Sequence, residues 1–244
     1  MSIPILKTPE YNTTLPSGKE VVYRPFLVKE EKVMLTIKES KNIQDILRVM
    51  NSVVSGCLIS GAKLEDLTYN DTEHLFILMR CRSIGEEVEI NHKCKECGKE
   101  SPISIDISNV GLSKPIPESN QVMLNDEVGV TIQPLSVAAM SKVANTVESD
   151  PLETIQYIVE TIFNNESVFQ FKDLSKSEKK DFVESLSLSQ VQKIMDKLEE
   201  YPRCSIKMSV TCPHCGAVEE IHVEGLEHRN IATRSYRNDV IQIF

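Results

Sequence analysis

The sequence lacks the features that define several classes of protein. It has no tryptophan among its 244 residues, and aromatic side chains make up only 5% of it. No apolar run approaches the roughly 18 residues that a bilayer crossing needs, and the N-terminus has no signal-peptide apolar core. We therefore expect a chain that is made in the cytoplasm and does not enter a membrane.

Positive charge is also in deficit. Lys and Arg total 27 against 36 Asp and Glu, which gives a formal net charge of −9 at pH 7. Proteins whose main role is nucleic-acid binding need a basic footprint, so this balance favours partners that are proteins. With 41% hydrophobic residues, the chain has enough apolar material for one large domain or two modest ones.

The sequence motifs of common enzymes are missing. It contains no Walker loop, no G-x-G-x-x-G, no G-x-S-x-G and no H-E-x-x-H. Paired carboxylates fall on expected polar faces or strand edges, where we interpret them as solvated charge: Glu86 and Glu87, Glu199 and Glu200, Glu219 and Glu220. We predict that the protein is not an enzyme.

The residues with the clearest chemical role are cysteines, which are candidate metal ligands. Four of the seven cysteines lie in two C-x-x-C-G motifs, at residues 94–98 and 212–216. Each motif lies between two short alternating segments that are typical of a β-hairpin. Four thiolates from two tight turns suit a tetrahedral Zn²⁺ of the closed, structural kind. We predict one structural zinc ion with these ligands: Cys94, Cys97, Cys212 and Cys215.

Other uses of these cysteines are open. A thioredoxin-like redox site would use one pair at a helix N-terminus, and iron–sulfur signatures are more compact than this one. His92 or His214 can replace a cysteine as ligand, although their strand and turn positions predict solvent-exposed side chains. Cys57, Cys81 and Cys204 are expected to be buried apolar filler, with a spare ligand as the alternative for Cys204.

The order of predicted elements occurs twice. Residues 21–27 and 130–136 each form a short strand that runs into a proline, Pro25 or Pro134, and then into helices. In both halves a final helix leads into a β-hairpin whose turn is a C-x-x-C-G motif. We call each of these motifs a knuckle and each hairpin a knuckle hairpin. We interpret this as an α+β fold of internally duplicated helical units, each ending in a zinc-knuckle β-hairpin. The two hairpins would join as a four-cysteine zinc ribbon near a pseudo-two-fold axis.

This interpretation predicts the boundaries of the segments. They are an extended N-terminal arm (1–20), a first repeat (21–112), a linker (113–127), a second repeat (128–228) and a C-terminal tail (229–244). Within them we expect one helix from Asn42 to about Ile59 and one starting at Asn70. The apolar spacing from Pro151 to Phe163 predicts a single helix there.

Two stretches resemble the baseplate hub assembly proteins of T4-like bacteriophages. The first stretch contains LPSGK at residues 15–19, YRPFLVKEEK at 23–32 and ES at 39–40. The second is DTEHLFILMRCRSIGE at 71–86. The resemblance is good over roughly residues 15–110 and extends to the second half by order of elements only. It implies a late viral protein that acts without catalysis, as an assembly chaperone or minor subunit of the baseplate hub. Its partners would be hub proteins, in the host cytoplasm and in the tail baseplate of the virion.

The YRPFLVKEEK stretch predicts a partner-binding surface. Arg24, Lys29 and Lys32, together with the preceding arm, would form it; the alternative is that the apolar residues are core and the charges a solvated helix face. Two other functions stay open. A zinc-ribbon regulator would bind nucleic acid weakly and with strong salt dependence, and a thiol redox enzyme would have thiols that react without removal of metal.

Overall fold

The computed structural model describes residues 6–37, 42–143 and 151–224. They form a mixed α/β fold with seven helices and several small sheets. The chain divides into two compact units, a first unit of Met1–Ser113 with Arg203–Phe244 and a second unit of Lys114–Pro202. None of the helices in the described ranges has the length and apolar character that a membrane crossing requires.

The first unit begins with two strands and three helices and continues with a hairpin. Its elements are β1 (Tyr11–Thr14), β2 (Glu20–Tyr23), α1 (Val28–Leu35), α2 (Ile43–Cys57), β3 (Leu58–Ser60), α3 (Tyr69–Ser83), β4 (Glu87–Lys93), β5 (Glu100–Asp106) and β6 (Gly111–Leu112). The strands β1, β2 and β3 form one antiparallel sheet, and β4 pairs with β5 along its whole length.

The second unit has a four-stranded antiparallel sheet and four helices. Its elements are β7 (Gln121–Met123), β8 (Gly129–Ile132), α4 (Val137–Val143), α5 (Pro151–Ile158), β9 (Val159–Phe163), β10 (Val168–Gln170), α6 (Lys176–Glu184) and α7 (Leu188–Glu199). The chain then returns to the first unit as β11 (Cys204–Thr211) and β12 (Val218–Glu224), and β11 pairs with both β12 and β6.

Part of the segment predicted as an arm is a strand. The chain pairs with β2 from Tyr11 to Thr14 and turns where the sequence predicts a turn, with the Gly18 N–H donating to the Leu15 carbonyl at 2.8 Å. Gly18 has φ +84°, a conformation that favours glycine. Asp71 on α3 accepts the Ser17 N–H at 2.9 Å, so this turn is attached to the helix.

Two predicted helices end earlier than their apolar spacing suggests. α2 ends at Cys57 and the chain continues directly into β3, while α5 ends at Ile158 and continues directly into β9. The prediction of a single helix through Phe163 is therefore wrong. β9 contains Val159, Thr161 and Ile162, β-branched residues that favour strands, and its pairing with β8 satisfies the backbone.

The start of α3 also differs from the prediction. Thr68, not Asn70, is the N-cap: its side chain accepts the Asp71 N–H at 3.1 Å, and the Asp71 carboxylate accepts the Thr68 N–H at 3.1 Å. This is a capping box with the spacing predicted for Asn70 and Glu73, shifted by two residues. Thr68 has the extended backbone that an N-cap requires.

The two helix-to-strand junctions share details of their backbone. The Arg24 N–H donates to the Cys57 carbonyl at 3.0 Å, and the Gln133 N–H donates to the Ile158 carbonyl at 2.8 Å. Each donor directly precedes a proline, which cannot extend the ladder, and each strand pair has a register shift just before that donor. A 3-10 turn and a capping box follow in both units, at Leu64–Asp66 with Thr68 and at Phe171–Asp173 with Ser175.

Each unit has an apolar core of its own. In the first unit, α3 and the bases of both knuckle hairpins share a cluster of buried residues: Ile77, Cys81, Val88, Ile105, Ile107, Val110, Cys204 and Ile206. In the second unit, the sheet packs with its helices through a larger cluster that includes Val130, Ile132, Ile155, Ile158 and Ile194. Both knuckle hairpins therefore belong to the first unit.

Candidate metal centre

The two knuckles have the same backbone geometry. In the first, the Cys94 N–H donates to the Lys99 carbonyl at 3.0 Å, and the Gly98 N–H donates to the Cys94 carbonyl at 2.9 Å. The knuckle at Cys212 repeats both bonds at 2.8 and 2.9 Å. Gly98 and Gly216 have φ values of +69° and +74°, which only glycine adopts freely. Each C-x-x-C-G motif is thus a tight turn that presents two thiols.

The four predicted ligands lie together, although more than a hundred residues separate the pairs. Their Sγ atoms all lie within 4.8 Å of one another. The Sγ atoms of Cys94 and Cys215 are 3.7 Å apart, and those of Cys97 and Cys212 are 3.8 Å apart. A regular tetrahedron with Zn–S bonds of about 2.3 Å has S–S edges of about 3.8 Å, whereas a disulfide bond is about 2.05 Å long. The donor set therefore fits a soft four-coordinate ion.

The pKa values of two of the four thiols, Cys94 and Cys212, are shifted in opposite directions. The backbone N–H of His214 is the main cause that lowers the pKa of Cys212, to about 7. The backbone N–H of Cys97 lowers the pKa of Cys94, but Glu219 and burial outweigh it and raise this pKa to about 12. Metal binding has to displace the remaining protons, because a metal takes cysteine as thiolate.

The sequence analysis missed the contacts that Glu219 makes. Its Oε1 accepts the Lys95 N–H at 2.9 Å, and its Oε2 lies 3.0 Å from His92 Nε2. The Glu219 and His92 side chains are only 9% and 4% exposed, so the predictions of solvated charge and of an exposed histidine are wrong for these two residues. His214 is exposed as predicted. A signal for His92 was available: it lies two residues before Cys94, and residues two apart in extended chain point to the same side.

The three remaining cysteines are buried, as the filler interpretation predicts. Burial is the main cause that raises the pKa of Cys57, to about 11, and that raises the pKa of Cys204. The Cys204 thiol donates to the Asn70 carbonyl at 3.3 Å, and Cys204 is not part of the four-sulfur group. Cys81 is in the same core cluster as Cys204.

The residues of the predicted partner surface have different environments. Arg24 is 13% exposed, and its Nη2 lies 2.9 Å from Glu30 Oε1; it also donates to the carbonyls of Pro25 and Gly56. Lys29 is 68% exposed, and Lys32 is also exposed. The donors of Arg24 are therefore used inside the first unit, whereas both lysines are exposed, although Lys29 Nζ also lies 3.4 Å from Glu30 Oε1.

Comparison with known proteins gives one family and one curated relative. The family described as T4 bacteriophage base plate protein matches residues 8–228. The baseplate hub assembly protein gp26 of Enterobacteria phage T4 is 25% identical over 223 residues, which covers 89% of this chain and 96% of the relative. No solved structure matches. The family resemblance drawn from residues 15–40 and 71–86 is therefore confirmed.

Proposed function

Because the chain belongs to the T4 bacteriophage base plate protein family, we propose that it is a non-enzymatic assembly factor for the central hub of a contractile tail baseplate. The family match over nearly the whole chain carries this proposal, and the printed name of the relative, a baseplate hub assembly protein, agrees with it. The partners are hub proteins rather than nucleic acid or a small molecule. In this proposal contact takes place in the host cytoplasm, and the finished tail baseplate is a second location.

We further propose that Cys94, Cys97, Cys212 and Cys215 hold one Zn²⁺ as a four-cysteine zinc ribbon. The observed Sγ separations support a tetrahedral ion. A four-thiolate site has no open coordination position for a substrate, so the ion would be structural. It would close a long loop of the unfolded chain, which restricts that chain as a cross-link does. This role is compatible with an assembly factor that lacks catalysis.

We also propose that the fold arose by internal duplication. The shared junction bonds at Arg24 and Gln133 support it, as do the 3-10 turns and capping boxes that follow in the same order. Each half then contributes one knuckle hairpin to the zinc ribbon. The repeat boundaries predicted from the sequence remain part of this proposal.

The partner surface of the proposal is the outer side of α1. Val28, Lys32 and Leu35 recur at the i, i+4 and i+7 positions of one helix face, and Val28 and Leu35 are 66% and 59% exposed. The opposite face is anchored by Glu30, which is buried against Arg24. Arg24 thus holds α1 in place through Glu30 and is not itself part of the exposed surface. Lys29 and Lys32 provide the positive charge of that surface.

The chemistry of this surface indicates its occupant. Lys29 and Lys32 are exposed positive charges beside exposed apolar side chains, in a protein of net charge −9. A second copy of so acidic a chain is a poor electrostatic match. The surface is instead complementary to an apolar groove with acidic edges, which we assign to a hub protein.

Charge reversal on α1 tests the proposal. The variant Lys29→Glu/Lys32→Glu should lower the yield of assembled hub, on coexpression with the hub proteins, by about tenfold, because like charges then face each other across the interface. The matched control is Lys176→Glu/Lys180→Glu, which makes the same charge change at two exposed lysines of α6. Zinc content and circular dichroism should stay the same in both. Normal hub assembly by the α1 variant would contradict the docking surface.

A further inference from the structure

The Glu219 carboxylate connects the two hairpins at a point that the zinc proposal does not use. We propose that Glu219 is a positioning residue of the four-thiol centre, an inference that rests on the proposed metal binding. It holds the first knuckle against the second hairpin in the arrangement in which the four sulfur atoms converge. It acts through the backbone of Lys95 and the imidazole of His92 and also interacts with the Cys94 thiol, but it is not one of the four proposed ligands.

Both carboxylate oxygens are used for this connection. Oε1 accepts the N–H of Lys95, the residue that follows Cys94 inside the knuckle, and Oε2 contacts the imidazole of His92, two residues before Cys94. Hydrogen bonds to an ionised carboxylate are roughly twice as strong as neutral ones. The backbone on both sides of Cys94 is therefore attached to one side chain of the other hairpin.

The two hairpins belong to different sheets, so no strand pairing between them in the described ranges fixes how the knuckles are placed. Among the described residues, β4 pairs only with β5, while β12 and β11 form a sheet with β6. The bases of the hairpins meet through apolar residues such as Val88 and Ile206. Near the knuckles, the contacts of Glu219 span 124 and 127 residues of sequence. They fix the relative placement of the two turns close to the sulfur atoms.

The hairpins themselves show that the knuckle fold does not need this carboxylate. Glu219 lies four residues after Cys215, and the residue four after Cys97 is Ser101. Likewise the partner His92 lies two residues before Cys94, whereas Val210 occupies that place before Cys212. Both knuckles nevertheless make the same backbone bonds. The carboxylate is thus added to one hairpin and acts on the other, as expected for a residue that joins them.

Metal affinity is the property that such a residue should control. Groups that hold the ligands of a metal in place typically change its affinity by about 10- to 100-fold when they are removed. Glu219 also raises the pKa of Cys94 and so opposes its deprotonation. In this proposal, holding the first knuckle in place outweighs that effect, so that loss of Glu219 lowers the affinity. The Glu219→Gln variant keeps one oxygen acceptor and should lie between wild type and Glu219→Ala.

The experiment uses the full chain in metal-free form, with Co²⁺ and Zn²⁺ as probes. Cobalt absorption reports tetrahedral thiolate ligation, and competition with a chromophoric chelator gives zinc affinity. Wild type should bind one ion, Glu219→Ala should bind one ion with about 10- to 100-fold lower affinity, and its saturated cobalt spectrum should equal that of wild type. The control is Glu220→Gln, which removes one exposed charge next to Glu219 and should leave zinc affinity unchanged.

Thermal unfolding separates positioning from general stability. A merely structural residue would lower the melting temperature equally with and without zinc, whereas a positioning residue should reduce the rise in melting temperature that zinc produces. Wild-type affinity in both Glu219 variants would overturn this inference and leave the zinc site standing. Absence of stoichiometric metal in the wild-type protein would overturn the zinc site as well. If Glu219→Ala does not fold without metal, Glu219→Gln supplies the same comparison.

Discussion

The Pro25 junction of the first unit and the Pro134 junction of the second share a backbone but bury different side chains. In the first, Arg24 and Glu30 form a nearly buried ion pair. The second unit has the same order of strand, proline and helix around Pro134, yet Gln133 and Ala139 occupy the places of Arg24 and Glu30. The junction itself therefore does not require an ion pair. The charges of the first unit need a reason of their own.

The helices that follow the prolines give that reason. Val28 opens α1 and is exposed, whereas Val137 opens α4 and is buried. The positions of Lys29 and Lys32 correspond to Ala138 and Ser141 in the second unit. α4 has an exposed lysine of its own, Lys142, but none of its large apolar side chains is exposed. Exposed apolar residues beside exposed lysines, as on α1, are what a partner surface on the first unit predicts.

The largest effect in this comparison is expected from Glu30→Ala. The change gives the first unit the alanine of the second but leaves Arg24 without its carboxylate and the Leu27 N–H without its acceptor, which Glu30 provides at 2.9 Å. Breaking one side of a buried pair costs about 3–5 kcal/mol. Hydrogen exchange measured by mass spectrometry should show this loss in peptides of the first unit.

The matched control is the double variant Arg24→Gln/Glu30→Ala, which transfers the pair of the second unit in full. The double variant leaves no unpaired buried charge, so part of the stability should return, although the Leu27 N–H still lacks the Glu30 acceptor. If Glu30→Ala were as stable as wild type, the Arg24 guanidinium would have to become hydrated in the variant with no loss in the free energy of unfolding. The correspondence between the two junctions would then explain nothing about their stability.

Local patterns predicted much of the fold and the ligands of the candidate site. The apolar spacing of Leu47, Met50 and Val54 is enough for α2, and all three are buried. The knuckles follow from C-x-x-C-G because glycine and two thiols define that turn locally. Where helix changes to strand at Ile158 and Val159, both residues are apolar and buried, so spacing could not distinguish a helix face from a strand.

Contacts between segments distant in sequence could not be predicted in this way. Whether Glu219 is solvated depends on which hairpin lies beside β12, and no residue near it in sequence contains that information. The same holds for Arg24, whose charge indicates a surface but whose partner Glu30 is brought close by the start of α1. The packing of one hairpin or helix on another decides both cases.

Lowering the pH is expected to have a smaller effect on the Arg24–Glu30 pair, because it protonates Glu30 without changing any residue. Burial alone would raise the pKa of Glu30, but the hydrogen bonds from Arg24 and Leu27 lower it below its ordinary value. The folded chain then holds this proton less tightly than the unfolded chain, so the stabilisation is full above the unfolded pKa of about 4.3. It is lost as the pH falls through the folded pKa. Wild type should therefore lose stability relative to Arg24→Gln/Glu30→Ala as the pH falls from about 5 to about 3. A difference that stays constant over this range would show that the ionisation of Glu30 does not contribute.

The smallest effect concerns the strand pairs just before the two prolines. In the second unit, the hydroxyls of Thr131 and Thr161 lie 2.7 Å apart, and Thr161 is buried. In the first unit, the corresponding pair is Val22 with Ser60, and Ser60 is exposed, so its hydroxyl can bind water.

Thr131→Val gives the second unit the valine of the first but leaves the buried Thr161 hydroxyl without this partner. We expect a loss of about 1 kcal/mol, visible as faster amide exchange in β8 and β9 only. Thr131→Ser keeps the hydroxyl and should lose less. If valine is tolerated without any loss, the Thr161 hydroxyl has found another acceptor, and burial does not distinguish the two pairs.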